Sequence, residues 1–191
     1  MAFDLMNDRT DEDLLAAYAS GDQSAARALM LRHTPRVLSL ANRMLKDQTE
    51  SEDVAQEAML RLWKIAPDWR ADEAKISTWL YRVATNLCTD RLRKRRGIGL
   101  DEAPEIEDET PGVEAQMISA DRGTVLRAAI DRLPERQKLA ISLRHFEELS
   151  NPEIAEIIGG SVEAVESLLA RARRTLTADL EKYRETLGFT G

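Results

Sequence analysis

Residues 150–174 read SNPEIAEIIGGSVEAVESLLARARR, two short helical patterns hinged at Gly159-Gly160. Ser150 is placed to cap the first helix, Pro152 suits a first turn where an N–H is not needed, and Glu153 follows three residues later, as in a capping box. Gly159 ends that helix. Ser161 supplies a second cap, after which Val162, Val165, Leu169, Ala172 and Leu176 recur at helical spacing and are expected to face the first helix. Glu163, Ser167, Ala170, Arg171 and Arg174 share the opposite face. In a helix-turn-helix that reads DNA this side enters the major groove; in an ordinary helical hairpin it is a solvated surface. The rest of the chain has to discriminate the two.

The chain has 191 residues, enough for one domain or two small ones, and only 5% of them are aromatic. Few glycines and prolines among many Ala, Leu, Arg and Glu residues point to an all-α protein. No apolar run approaches the roughly 18 to 20 residues that span a bilayer, and the opening MAFDLMNDRTDED is too acidic for a signal peptide. A soluble, cytoplasmic protein with no membrane partner is expected. Cys88 stands alone and His33 and His145 are isolated, so no disulfide, metal or other cofactor is expected. Both histidines are expected to be surface or packing residues.

The net charge is −7, and all of that excess lies in residues 101–119, which hold seven carboxylates and no Lys or Arg. The remainder is neutral and concentrates its bases at Arg91, Arg93, Lys94, Arg95 and Arg96, and again at Arg171, Arg173 and Arg174. Binding follows the local field rather than the total.

Along the chain, residues 1–9 are expected to form a loose tail. Thr10 caps a short helix carrying Leu14, Leu15 and Tyr18, and Gly21-Asp22 breaks it before an amphipathic stretch from about Ser24 to Leu45, which Pro35 should bend or split. Thr49 to Ala66 forms a second strong helix, with Thr49 and Glu52 as its capping box and Val54, Ala58, Leu62 and Ile65 as its buried stripe. Its other face mixes carboxylates with large apolar groups: Asp53, Gln56, Glu57, Leu60, Trp63 and Lys64. A wide core face and a partner-binding face with an apolar anchor remain equal alternatives.

A polar loop from Asp72 to Ser77 leads to STWLYRVATNLCTDRLRKRR, capped by Ser77 or Thr78, with Leu80, Val83, Ala84, Leu87 and Leu92 inward. Arg82, Asn86, Thr89 or Asp90, and Arg93 point outward with Tyr81 nearby. Five cations in six residues exceed what a helix dipole calls for, so phosphate contact is the better account. Residues 97–120 form an acidic linker. Helical patterning resumes at Asp121 with Val125, Leu126, Ala129, Ile130 and Leu133, and a helix from Glu135 to Phe146 precedes the opening motif. No Gly-rich phosphate loop, metal-protease motif or nucleophile elbow occurs, so neither an enzyme nor a small-molecule substrate is expected.

SEDVAQEAMLRLW, then STWLYRVATNLCTDRLRKRR, then LPERQKLAISLRHFEELSNPEIAEIIGGSVEAVESLLARAR together resemble the extracytoplasmic-function sigma factors of bacterial RNA polymerase, of sigma-E-like type. The resemblance implies a region 2 domain over 1–96, the linker over 97–120 and a region 4 helix-turn-helix domain over 121–191. It implies binding to core RNA polymerase through Asp53, Gln56, Glu57, Leu60 and Trp63. It places promoter minus-10 DNA at Lys75, Ser77, Trp79, Tyr81, Arg82, Asn86, Asp90, Arg93, Lys94 and Arg95, where a strand with a flipped base is held. Minus-35 DNA would meet Ser161, Glu163, Ala164, Ser167, Arg171, Arg173 and Arg174. The family also implies restraint by an anti-sigma factor and a role in a stress response. Glu166 and Leu168 depart from the basic residues the family often carries there, which puts the minus-35 bases in doubt. A free-standing helix-turn-helix regulator, or a helical adaptor that binds neither DNA nor polymerase, would lack the polymerase contact.

Overall fold

The computed structural model of the chain describes residues 9–70, 75–95, 97, 122–181 and 183. Among these there are eight α-helices and no strand. Residues 1–8 of the expected tail, residues 72–74 of the 72–77 loop and all of the acidic linker except Gly97 lie outside the described residues. The helices fall into two units.

The first unit contains α1 (Asp11–Ala19), α2 (Gln23–Leu45), α3 (Gln48–Ile65) and α4 (Ile76–Arg95). Thr10 caps α1 by accepting from the Asp13 N–H at 3.1 Å, and three acidic residues in the first turn lie against the positive end of the helix dipole. Gly21, at φ +100°, makes the turn that no L side chain accepts easily. Asp22 then caps α2.

Pro35 does not split α2, which runs unbroken through it. The carbonyl that loses its partner belongs to Leu31, and Leu31 and Pro35 both lie on the exposed side, where water can take the lost bond. The start of α3 also differs from expectation. Lys46 closes α2 in the left-handed conformation at φ 53°, so Asp47 is already extended and caps α3 through the Glu50 N–H at 2.9 Å, two residues ahead of Thr49. Similarly α4 begins at Ile76, with the Lys75 carbonyl accepting from Trp79, so Ser77 and Thr78 lie inside its first turn rather than capping it.

Leu14, Leu29, Val54, Leu62, Ile76 and Leu80 are fully enclosed where these four helices meet, and α4 is packed against both α2 and α3. His33 is buried here. Its Nε2 lies 2.8 Å from Asp11 Oδ2, and Arg32 also reaches that carboxylate. Burial alone would raise the Asp11 carboxyl, but the His33 and Arg32 contacts outweigh it and hold it below the usual range. Cys88 is buried too, and its thiol is pushed up to about 12 by loss of water, so it stays protonated and unreactive.

The second unit contains α5 (Arg122–Asp131), α6 (Glu135–His145), α7 (Asn151–Ile158) as far as Ala155, and α8 (Val162–Glu181). Leu126 belongs to the expected pattern of α5 yet is exposed, while Val125 and Ala129 are buried. Glu153 accepts from the backbone N–H and the hydroxyl of Ser150, which is the reach-back half of the expected capping box. Gly159 adopts φ +67° and the Gly160 N–H bonds the Ala155 carbonyl at 3.0 Å, a Schellman closure that explains the glycine pair. Ser161 caps α8 through the Ala164 N–H. Helix α8 packs on α5 and α6, and Arg132, just after α5, pairs with Asp179 of α8 at 3.0 Å.

Candidate functional site

On α3 the mixed face separates into two parts. Leu60 is 53% exposed, a large apolar side chain standing in water between Asp53, Gln56 and Glu57. With Leu87 and Arg91 of α4 these residues line an open groove of about 460 Å³. Glu57 is held by Arg61, one turn on, at 2.8 Å. The groove thus offers an apolar floor bordered by charges of both signs, a composition suited to a protein partner. Trp63 lies outside it. Its ring sits 4.7 Å from that of Tyr18, half-buried against the core. Leu87, which its spacing places inward, does pack against the core and in addition lines the groove, a second role that spacing along α4 does not show.

Along α4, Arg82, Asn86 and Asp90 are exposed on one stripe with Lys75 exposed just ahead of the helix, Arg93 is half-buried beside them, and Lys94 points to solvent. Trp79 is half-buried, edge-on to Trp69 at 6.0 Å, and Ser77 lies near Lys75 in a depression shared with Asp11, Glu12 and Arg32. Tyr81 corrects the sequence reading. It is 2% exposed, because α4 is covered on two sides, so its ring presents no face on which a base could stack. Arg95 is tied back onto the α2–α3 corner, with its guanidinium 3.0 Å from Glu50. Arg96 lies outside the described residues.

On α8 the separation is clean. Ser161, Glu163, Ala164, Ser167, Arg171, Arg173 and Arg174 are all exposed, while Val165, Leu168, Leu169 and Ala172 are buried. Leu168 therefore belongs to the core and not to the DNA side, which removes half of the expected departure; only the exposed Glu166 remains. The Glu163 carboxylate is lowered by its own backbone N–H and by the Ser161 hydroxyl at the helix start. It is charged at neutral pH and engaged at the cap. Among the described residues no group of His, Cys, Asp and Glu could hold a metal ion, and no helix is long and apolar enough to cross a membrane.

Residues 29–98 match the family model of sigma-70 region 2, and residues 124–176 that of sigma-70 region 4. The RNA polymerase sigma-E factor of Escherichia coli K12 is 33% identical over 178 residues, covering 87% of this chain and 92% of that protein. The solved structure of CnrH, in complex with the cytosolic domain of CnrY, superposes with a TM-score of 0.65 at 26% identity, covering 90% of this chain and 97% of CnrH. The sigma factor RpoE of Bartonella quintana, solved with the anti-sigma factor NepR, shares the fold with a TM-score of 0.62 at 20% identity, over 81% of this chain and 96% of RpoE.

Proposed function

The chain belongs to the extracytoplasmic-function sigma factors of bacterial RNA polymerase, and from that premise we propose how its surfaces divide the work of starting transcription. As a sigma factor it acts by binding and strand opening and is not an enzyme. Residues 1–96 form the polymerase and minus-10 domain, 97–120 the acidic tether and 121–191 the minus-35 domain.

The observation that carries this assignment is the exposed Leu60 in a charged groove, on a helix whose other side is fully buried. An apolar anchor held in water costs free energy that a docked partner recovers, and desolvated anchors of this kind dominate binding. Core polymerase docks there, against Asp53, Gln56, Glu57 and Leu60, with Trp63 at the margin. The exposed stripe of α4, Lys75, Arg82, Asn86, Asp90, Arg93 and Lys94, with Trp79 beside it, holds the minus-10 strand: amide and aromatic groups meet bases while cations neutralise phosphates. In α8, Ser161, Glu163, Ala164, Ser167 and Arg171 face the minus-35 duplex, and Arg173 and Arg174 its backbone.

An anti-sigma factor holds the protein inactive in the cytoplasm until a stress signal releases it; CnrH and RpoE, each solved with a second protein bound, support this reading. A band-shift assay with and without core polymerase tests the assignment. The expected result is a promoter complex only when polymerase is present, lost on Leu60→Asp. A shift of duplex promoter by the chain alone, undiminished by Leu60→Asp, would favour a free-standing regulator instead.

A further inference from the structure

Arg95 is the last residue of α4 and belongs to the run of cations that the sequence assigns to promoter phosphates. Its guanidinium is occupied within the protein. Nη1 donates to the Leu45 carbonyl at 3.0 Å, Nη2 lies 3.0 Å from Glu50 Oε1 and 3.5 Å from Asp47 Oδ2, and Nε donates to Glu50 Oε1 at 3.3 Å. All three acceptors belong to one corner. Leu45 is the last residue of α2, Asp47 is the cap of α3, and Glu50 stands in the first turn of α3. A planar fork of five donors suits this set, and a lysine could not span it. Lys94 and Arg95 are both exposed, but two carboxylates beside the Arg95 guanidinium offset its field, so it attracts a phosphate less than Lys94 does.

We infer that Arg95 is a positioning residue and not a phosphate contact: it fastens the basic end of the strand-opening helix to the corner from which the polymerase-docking helix starts. This rests on the roles proposed above for α3 and α4. The fastening keeps the stripe from Arg82 to Lys94 at a fixed angle to the docked polymerase, so that promoter strands meet a preorganised surface.

The two roles separate on the carboxylate side of the contact. In Asp47→Asn combined with Glu50→Gln, Arg95 keeps its charge and loses its anchors, and Asn still serves as a helix cap. The full chain with core polymerase is assayed for open-complex formation on an intact promoter and on the same promoter already melted at its minus-10 segment, across a range of salt. The expected result is a loss of roughly tenfold on the intact promoter for Arg95→Ala, Arg95→Lys and the carboxylate double variant alike, with no further loss when Arg95→Ala and the double variant are combined. The loss shrinks on the melted template, and the salt slope stays that of the wild type.

A phosphate contact gives the opposite pattern: the double variant binds as well as or better than wild type, while Arg95→Ala lowers the salt slope by about one. A purely structural tie lowers thermal stability and leaves promoter opening intact. Either result overturns the inference. Failure of the wild-type chain to form any complex with core polymerase would instead defeat the functional reading and take the clamp with it.

Discussion

Helices α4 and α8 are each 20 residues long and each carry arginines assigned to promoter DNA, yet they display their functional side chains in different ways. Helix α8 is packed against α5 and α6 and leaves one continuous face in water, on which all the assigned residues stand. Helix α4 is wedged against both α2 and α3, so its side chains are divided among two packing faces and a narrow exposed stripe. A period of 3.6 residues locates one buried face and its opposite. It does not give the width of the covered face, which on α4 takes in Ile76, Thr78, Leu80, Tyr81, Ala84, Thr85 and Cys88. Tyr81, expected near the exposed side of α4, is therefore buried, whereas every assigned residue of α8 is exposed.

The sharpest way to break that contrast is at Tyr81. Tyr81→Ala removes a buried aromatic ring and is expected to destabilise the first unit by about 3 to 5 kcal/mol in urea unfolding. A cost within about 0.5 kcal/mol, as for a surface residue, would return Tyr81 to the exposed stripe. On α8 the matching test is Leu168→Arg, which restores a basic residue common in the family. It forces a charge into a packed site and is expected to cost roughly 2 kcal/mol of stability without tightening promoter binding. Tighter binding with unchanged stability would show that Leu168 faces DNA after all.

Smaller effects follow from the exposed cations of α8. Arg171→Ala and Arg174→Ala should each change stability by no more than about 0.5 kcal/mol and each lower the salt slope of promoter binding by about one. The least of the expected effects is at Asp11. Its carboxyl lies lower in the folded state than in the unfolded chain, so the stability it contributes is present above the ordinary carboxylate range and is lost as pH falls through the folded value. Asp11→Asn should lower stability by a small, roughly constant amount at neutral pH and above and flatten the acid limb of an unfolding curve, so that variant and wild type converge at low pH.

Much of this was legible in the sequence because local chemistry and global packing agree. The glycine pair, the Ser161 cap and the apolar spacing of the second helix locate the helix-turn-helix before any partner is known. The exposed Leu60 was legible as an oddity, since an apolar residue among carboxylates has few local reasons to be there. What was hidden came from contacts between distant residues. Arg95 meets Glu50 across 45 positions and Arg32 meets the neighbourhood of Asp11 across 21, and no periodicity encodes such pairs. The start of α3 was hidden for a nearer reason. Two capping signals compete there, and the left-handed Lys46 decides for Asp47 by ending α2 just before it.

The most direct test of the central claim is transcription by core polymerase on a pool of genomic fragments, with start sites mapped with and without the chain. The account predicts new, discrete starts that share two upstream elements at a fixed separation, all abolished by Leu60→Asp in a chain that remains folded. Start sites unchanged by adding the chain, or new ones that survive Leu60→Asp, would contradict it.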